Sequence, residues 1–253
     1  MGKISRQQQI INMLNKREFV SVNELASIFQ TTNMTIRRDL DQLELKRIIR
    51  RIHGGAVLLK TEYTLPSFKE RMEHCGAEKN VIAKAALDLI SPEMVICMDG
   101  STSAFAIAQN LPEDIHLTVV TTGVMTAREL CRYPKVDVIQ AGGTVHHTSC
   151  STYGVIATDF LKQFNADIVF FSSRAVSPIK GTFESMMDMV EEKRALNAIS
   201  KKVVLLADHT KFEGRSLCQS IPIEEIDLVI TDNKTSPEII KSLKEGGREV
   251  IIA

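Results

Sequence analysis

The pattern that leaves this chain the fewest folding options lies between Phe19 and Leu58. Ser21-Val22-Asn23-Glu24 has the spacing of a capping box, in which the serine accepts from a backbone N–H and the glutamate reaches back. The short helix it opens carries Val22, Leu25, Ala26, Ile28 and Phe29 on one side, then breaks at Gln30-Thr31-Thr32-Asn33. In the next helix Ile36, Leu40 and Leu43 recur at i, i+4, i+7, which gathers them on one buried side. At about 100° per residue, Met34, Arg38, Asp41 and Gln42 then point the other way. Downstream, the β-prone runs Ile48 to Ile52 and Ala56 to Leu59 are separated by His53-Gly54-Gly55, whose glycines supply the positive φ of a tight hairpin. A first helix from Gln7 to Lys16, with Ile10, Ile11 and Leu14, completes a winged helix-turn-helix pattern.

Charge adds direction to that pattern. Arg37 and Arg38 stand early in their helix, where the macrodipole favours acidic groups, so their partner is expected to be a polyanion outside the protein. The chain's net charge of zero hides a net +6 over residues 1–60 and a net −6 over residues 61–253. A basic head on an acidic body fits a DNA-binding module joined to a domain that avoids DNA. Within the head, Met34, Thr35 and Arg38 are expected at base edges, Arg37, Arg50 and Arg51 at phosphates, and His53 at the wing tip.

Beyond Lys60 the periodicity loosens around Tyr63, Pro66, Phe68 and Gly76, which places a linker over residues 61–76 between a domain of residues 1–60 and one of residues 77–253. From there apolar β-like runs alternate with helical stretches. The runs are Met94 to Met98, Leu117 to Thr121, Val136 to Gln140, Asp167 to Phe171, Val203 to Ala207, Leu228 to Thr231 and Glu249 to Ile252. Such alternation implies an α/β domain with a buried, mainly parallel sheet, whose ligands sit beyond the carboxyl ends of strands. Small and polar residues fall at those ends. Gly100-Ser101-Thr102 opens a helix and can offer N–H groups to a phosphate, with Asp99 beside it. Thr121-Thr122-Gly123 and Gly142-Gly143 supply further small donors, and Asp208 to Lys211 adds an acid for hydroxyls and a cation for the phosphate. Each loop alone also fits an ordinary βα turn.

Other chemistries find less support. Cys75, Cys97, Cys131, Cys150 and Cys218 are scattered, without Cys-x-x-Cys spacing, as expected of reduced thiols. The amino terminus lacks the apolar core of an export signal and no run is long enough to cross a bilayer, so a cytoplasmic protein without a membrane anchor is expected. His146 and His147 are adjacent, which on a strand sends them to opposite faces, and no metal or cofactor is expected. Met186, Met187 and Met189 are expected in the core or a subunit contact.

The stretch from Val20 to Leu40, ending in Arg50-Arg51-Ile52-His53-Gly54-Gly55-Ala56, closely resembles the winged helix-turn-helix of the DeoR family of bacterial transcriptional regulators. The second half resembles the family's sensor domain, which is similar in fold to ribose-5-phosphate isomerase and CoA transferases. Asp99-Gly100-Ser101-Thr102 looks like the family's Asp-Ser-Gly-Thr-Thr loop rearranged, and Thr121-Thr122-Gly123 replaces a Thr-Asn pair. Gly142-Gly143, Glu191 with Lys193, Leu206 through Phe212, and Ile230-Thr231-Asp232 match more directly. The chain departs from the family at Ser172 to Ser177, where a glycine-rich loop is usual; Arg174 there reaches a second anionic group or caps the pocket.

The resemblance implies a repressor of a carbohydrate operon that binds double-stranded operator DNA as a dimer or tetramer and is modulated by a phosphorylated sugar or polyol. The alternative is a sugar-phosphate isomerase with an accessory winged domain. Against it, Ser172-Ser173-Arg174-Ala175 stands where those isomerases carry Asp-Gly-Ala-Asp, leaving no carboxylate for proton abstraction. An architectural DNA-binder without a ligand is a third reading, opposed by the retained Asp99, Gly143, Asp208 and Lys211.

Overall fold

A computed structural model describes residues 3–17, 19–45, 48–52, 54–58 and 66–253. The chain divides into two compact units, residues 1–64 and 65–253.

In the first unit, α1 (Lys3–Lys16) precedes a short strand β1 (Val20–Ser21), α2 (Val22–Ile28) and α3 (Asn33–Leu45), and a hairpin of β2 (Ile49–Ile52) and β3 (Gly55–Leu58) closes it. Ile10, Leu14, Val22, Leu25, Ile36, Leu40, Leu43 and Ile49 form the core, so the apolar spacing of α3 does bury one side of that helix. Ser21 caps α2 by accepting from the Glu24 amide at 3.1 Å, but the Glu24 carboxylate turns to Arg17 instead of closing the capping box. Thr32 opens α3, its hydroxyl accepting from the Thr35 amide at 3.3 Å. Two expected orientations change. Ile28 is exposed, and Gln42 faces α1, where its carbonyl accepts from Gln7 at 2.9 Å.

β3 lies between β1 and β2, antiparallel to both. Gly54 has φ +81°, a backbone region that costs a side chain. Gly55 is required for another reason: a Cβ there would lie 2.2 Å from the Val20 carbonyl oxygen across the β1 pairing. His53 and Leu59 lie outside the described residues.

The second unit begins earlier than the sequence implies. Residues 66–76, expected as linker, include α4 (Phe68–Glu73), capped reciprocally by Ser67 and Glu70. The Phe68 amide donates to Thr148 O at 2.8 Å and its ring meets Phe105 edge-on at 5.3 Å, so α4 packs on the α/β unit. A helix of six residues has too little period to be seen against its charged neighbours.

The chain continues through α5 (Gly76–Leu87), β4 (Val95–Met98), α6 (Thr102–Gln109), β5 (Leu117–Thr121), α7 (Val124–Leu130) and β6 (Val136–Gln140). A small hairpin of β7 (Thr144–His146) and β8 (Ser151–Tyr153) leads to α8 (Val155–Leu161) and β9 (Ala166–Phe171). Next come β10 (Ala175–Ser177), β11 (Gly181–Glu184), α9 (Met187–Ala198), β12 (Ser200–Leu206) and β13 (Cys218–Gln219). The last elements are β14 (Leu228–Thr231), α10 (Pro237–Glu245) and β15 (Glu249–Ile252).

Seven strands form a parallel sheet in the order β15-β14-β12-β9-β4-β5-β6, as the continuous apolar runs imply. Successive residues face opposite sides: Ile96 and Met98 join a core with α5 and α6, while Cys97 joins one with Leu161 of α8 and Leu196 of α9. Helices therefore cover both faces. Strand order runs outward from β4 through β5 and β6, then resumes on the other side of β4 with β9, so the switch point lies between β4 and β9. Ligands of such sheets bind in the crevice that opens there. The short strands β10, β11 and β13 make a separate antiparallel sheet that the apolar pattern does not announce.

Candidate functional site

The exposed side of α3 is the first candidate. Met34 is 64% exposed, and Arg37, Arg38 and Arg50 are exposed with no side-chain hydrogen bond among the described residues. Thr35 is half-buried, its hydroxyl 3.0 Å from that of Thr32. Arg37, Glu44, Arg51, Ile52 and Gly54 line an open cleft between α3 and the hairpin. Arg51 is less available than expected: its guanidinium pairs with Asp41 and its amide donates to Glu44 at 2.7 Å. Behind the exposed face, buried Asp39 pairs with Arg6 of α1 and holds the two helices together.

The second candidate lies at the switch point. Asp99, fully buried after β4, accepts from the Ser101 amide at 3.0 Å, from the Ser172 amide beyond β9 at 3.0 Å, and from Lys193 Nζ at 2.6 Å. A carboxylate offers about four lone-pair sites, and three are taken, so Asp99 organises the loops and is not the free acceptor expected from sequence. Lys193 also reaches Glu192 at 3.4 Å. Burial alone lowers the pKa of Lys193, but the carboxylates of Asp99, Glu192 and Glu184 outweigh it and hold the amine charged. Glu192 in turn accepts from the Thr122 hydroxyl, which ties β5 to α9.

The neighbouring Glu191, matched to the family on sequence, is exposed and pairs with Arg194 at 3.5 Å. Helical rotation explains the correction: α9 buries Met189, Val190, Glu192, Lys193, Ala195 and Leu196, and position 191 falls on the outer side.

Other expected ligand groups also serve the framework. Ser101 caps α6 by accepting from Ala104 at 3.1 Å, and Thr121 Oγ accepts from the Gly123 amide at 3.0 Å. Gly100 is needed for packing, because a Cβ there would lie 1.6 Å from Ser151 Oγ; Gly123 is closed in by Thr126 at 2.8 Å. Thr102 is buried in the first turn of α6, where its amide belongs to the unpaired donors of a helix start.

Gly142 and Gly143 follow the edge strand β6, and Gly143 adopts φ +131° at the entry to the β7–β8 hairpin. Four strand positions separate β6 from β12, which precedes Lys211. At about 4.8 Å per strand that is about 19 Å, more than a small sugar phosphate spans. Gly143 is shaped by that hairpin: a Cβ there would lie 2.7 Å from the Tyr153 carbonyl oxygen.

Among the described residues, what remains open in the crevice is a set of charges without strong partners. Asp208 is fully buried; one oxygen caps the turn by accepting from the Thr210 amide at 3.1 Å, and Oδ2 has no partner. Glu184, at the end of β11, is 1% exposed, and its Oε1 has no partner. Burial pushes its pKa up to about 7. Lys211, half-buried, has its pKa lowered by burial; Asp208 opposes that shift and Arg174 reinforces it. Arg71 of α4 also acts on Lys211, its guanidinium lying 5.6 Å from the Phe68 ring centre with Nη2 donating to Ser149 O at 3.0 Å. Arg71 Nε is buried and unpaired.

Arg71, Glu184 and Glu192 escaped the sequence reading. Arg71 and Glu184 sit on elements too short to show a period, and Glu192 hid beside its exposed neighbour. Ser67-Phe68-Lys69-Glu70 has capping-box spacing and is the signal that would have revealed α4.

His146 and His147 do not diverge, since His147 lies beyond the end of β7; their rings stack with centres 5.2 Å apart. Among the described residues no group of three or more His, Cys, Asp or Glu is placed to hold a metal ion. Met189 is buried and Met187 is 55% exposed. Among the described residues no helix is long and apolar enough to cross a membrane.

Comparison with known proteins matches both units to domain families. Residues 6–62 match the profile of the DeoR-like helix-turn-helix domain and residues 75–233 that of the DeoR C terminal sensor domain. The chain is 36% identical to the HTH-type transcriptional regulator GolR of Listeria innocua over the full length of both. It is 32% identical to the L-fucose operon activator of Haemophilus influenzae, covering 93% of this chain and 94% of that one. Its fold is similar to ribose 5-phosphate isomerase A of Methanocaldococcus jannaschii, with a TM-score of 0.41, 16% identity and 55% of each chain covered.

Proposed function

Because this chain belongs to the DeoR family of helix-turn-helix transcriptional regulators, we propose that it represses a carbohydrate-metabolism operon and that a phosphorylated sugar or polyol controls its grip on the operator. The chain is a regulator and not an isomerase with an accessory domain. The observation that carries the effector reading is the group beyond β12, β9 and β11: Lys211, Arg174 and Arg71 as cations, with unpartnered oxygens on Asp208 and Glu184. Cations without paired carboxylates suit an anionic group, and buried acceptors without donors suit hydroxyls. A molecule bearing a phosphate and several hydroxyls supplies both. The start of α6, beside Thr102, adds unpaired N–H groups and a favourable dipole.

Related proteins point the same way. One relative is named a putative aga operon transcriptional repressor and another the L-fucose operon activator, so sugar operons recur while the sign of control does not. Repression is the reading adopted here, with Met34, Thr35 and Arg38 at base edges and Arg37 and Arg50 at phosphates. Arg51 joins them only by exchanging Asp41 for a phosphate. A single winged module covers a half-site, so the protein acts as a dimer or tetramer, in the cytoplasm where its DNA lies.

The test starts from thermal melting of the full chain with C3 to C6 sugar and polyol phosphates, since a ligand selective for the folded state raises apparent stability. Duplexes selected from random sequence then serve to titrate DNA binding with and without each hit. A phosphorylated polyol that both raises the melting temperature and changes DNA affinity is expected. A panel in which no phosphate ester does either overturns the effector reading.

A further inference from the structure

We propose that Arg71 is the residue through which a bound anion acts on the segment leading to the DNA-binding unit. The inference rests on the effector reading above and adds the group that transmits it. Phe68, where α4 begins, follows Thr64, the last residue of the first unit, by four positions. Arg71 is thus a cation of the ligand crevice carried on the first helix after the DNA-binding unit.

Its backbone and its side chain are held differently. Lys79 Nζ donates to the carbonyls of both Arg71 and His74 and ties the end of α4 to α5. Among the described residues the guanidinium has one hydrogen bond, to Ser149 O at 3.0 Å, and rests over Phe68, while Nε is buried with no partner. A buried unpaired donor is costly unless a partner arrives. The acids near Arg71 do not supply one: Asp99 is committed to Lys193 and two amides, and Glu184, which also faces Lys193, Glu192 and Lys211, leaves Oε1 unpaired.

The charges around it call for an anion. Arg71, Arg174 and Lys211 bring three positive charges; Asp208 brings one negative charge, and Glu184, with a pKa of about 7, less than a full one at neutral pH. Burial is the main cause that lowers the Lys211 pKa; repulsion from Arg174 and Arg71 adds to it, while Asp208 and Glu184 act the other way. A phosphate bridging Lys211 and Arg71 Nε relieves that repulsion and pairs the orphan donor. It also fixes the side chain against Phe68, whose amide and ring anchor the start of α4 to Thr148 and Phe105. Occupancy is thereby felt at the residues that enter α4 from the DNA-binding unit, and by linkage DNA binding is felt at the anion site.

The test uses the full chain with inorganic phosphate and ribose 5-phosphate as probes, followed by hydrogen exchange of residues 68–74 and by thermal melting. In the parent, saturating probe is expected to slow exchange there about tenfold, the scale of a 1.4 kcal/mol coupling. In Arg71→Gln it slows exchange less than twofold. Lys211→Met needs about tenfold more probe yet retains the protection at saturation, because it lowers affinity without removing the transmitting group. If Arg71→Gln fails to fold, Arg71→Lys takes its place with the same expected loss, since lysine has no Nε–H held in a planar fork. Probes that raise the melting temperature without changing exchange at 68–74 overturn the role of Arg71 and leave the effector site standing. Full protection in the Arg71 variants does the same. Probes that bind nowhere overturn both.

Discussion

Arg38 and Arg50 carry the same charge and are expected to fail differently when removed. Arg38 projects from the second turn of α3, where recognition helices read base edges, whereas Arg50 lies on the hairpin. Arg38→Ala is expected to cost about 1–3 kcal/mol on the preferred sequence and to relax preference at one position. Arg50→Ala should weaken all sequences alike and reduce the salt slope by about one. Affinities on preferred and random duplexes at several salt concentrations separate the two; equal losses for Arg38→Ala would remove its base-reading role. Within the crevice, Glu184 makes stability depend on pH. Its folded pKa of about 7 lies above the ordinary glutamate value, so the native state holds a proton that the unfolded state releases between about pH 4.5 and 7. Stability from this group is therefore complete below about pH 4.5 and falls as pH rises to 7, by on the order of 3 kcal/mol. Glu184→Gln should flatten that part of the pH profile, measured by urea unfolding; an unchanged slope would mean the carboxyl is ionised in the folded protein.

At the scale of elements, α9 shows how one turn of helix separates framework from surface. Lys193→Met strips the buried Asp99 and Glu192 of their counter-ion and is expected to cost about 3–5 kcal/mol in urea unfolding. Glu191→Ala, on the exposed side, should stay within about 0.5 kcal/mol. Equal effects would show that the rotation of α9 is misassigned. The same helix marks the boundary of what the residues disclose in sequence. Continuous runs such as Leu117 to Thr121 and Leu228 to Thr231 coincide with β5 and β14, because a strand covered on both faces is nearly apolar throughout. α3 is legible because Ile36, Leu40 and Leu43 need only local spacing. The crevice is less so. Its members come from α4, β11, the turn after β12 and the loop after β9, and nothing local brings Arg71 near Lys211 or Glu184. Asp99 was found, but its role was not, since three donors reach it from three separate segments.

The whole molecule is expected to work as a coupled machine of at least two copies. A single winged module offers too little contact for the usual specific affinities, so sedimentation of the DNA complex should give a dimer or larger; a monomer on its preferred duplex would contradict this. Coupling between the units is reciprocal: a ligand that weakens DNA binding tenfold must itself bind tenfold more weakly to the DNA complex, about 1.4 kcal/mol. At the proposed site, Lys211→Ala is expected to remove a charge-assisted contact of about 1.5–3 kcal/mol. The most direct measurement is a titration of DNA affinity with the best phosphorylated ligand, for the parent and for Lys211→Ala. At least a tenfold change is expected for the parent, and for the variant no change at the same ligand concentration with its ligand-free DNA affinity intact. A variant that responds as the parent does would contradict this expectation.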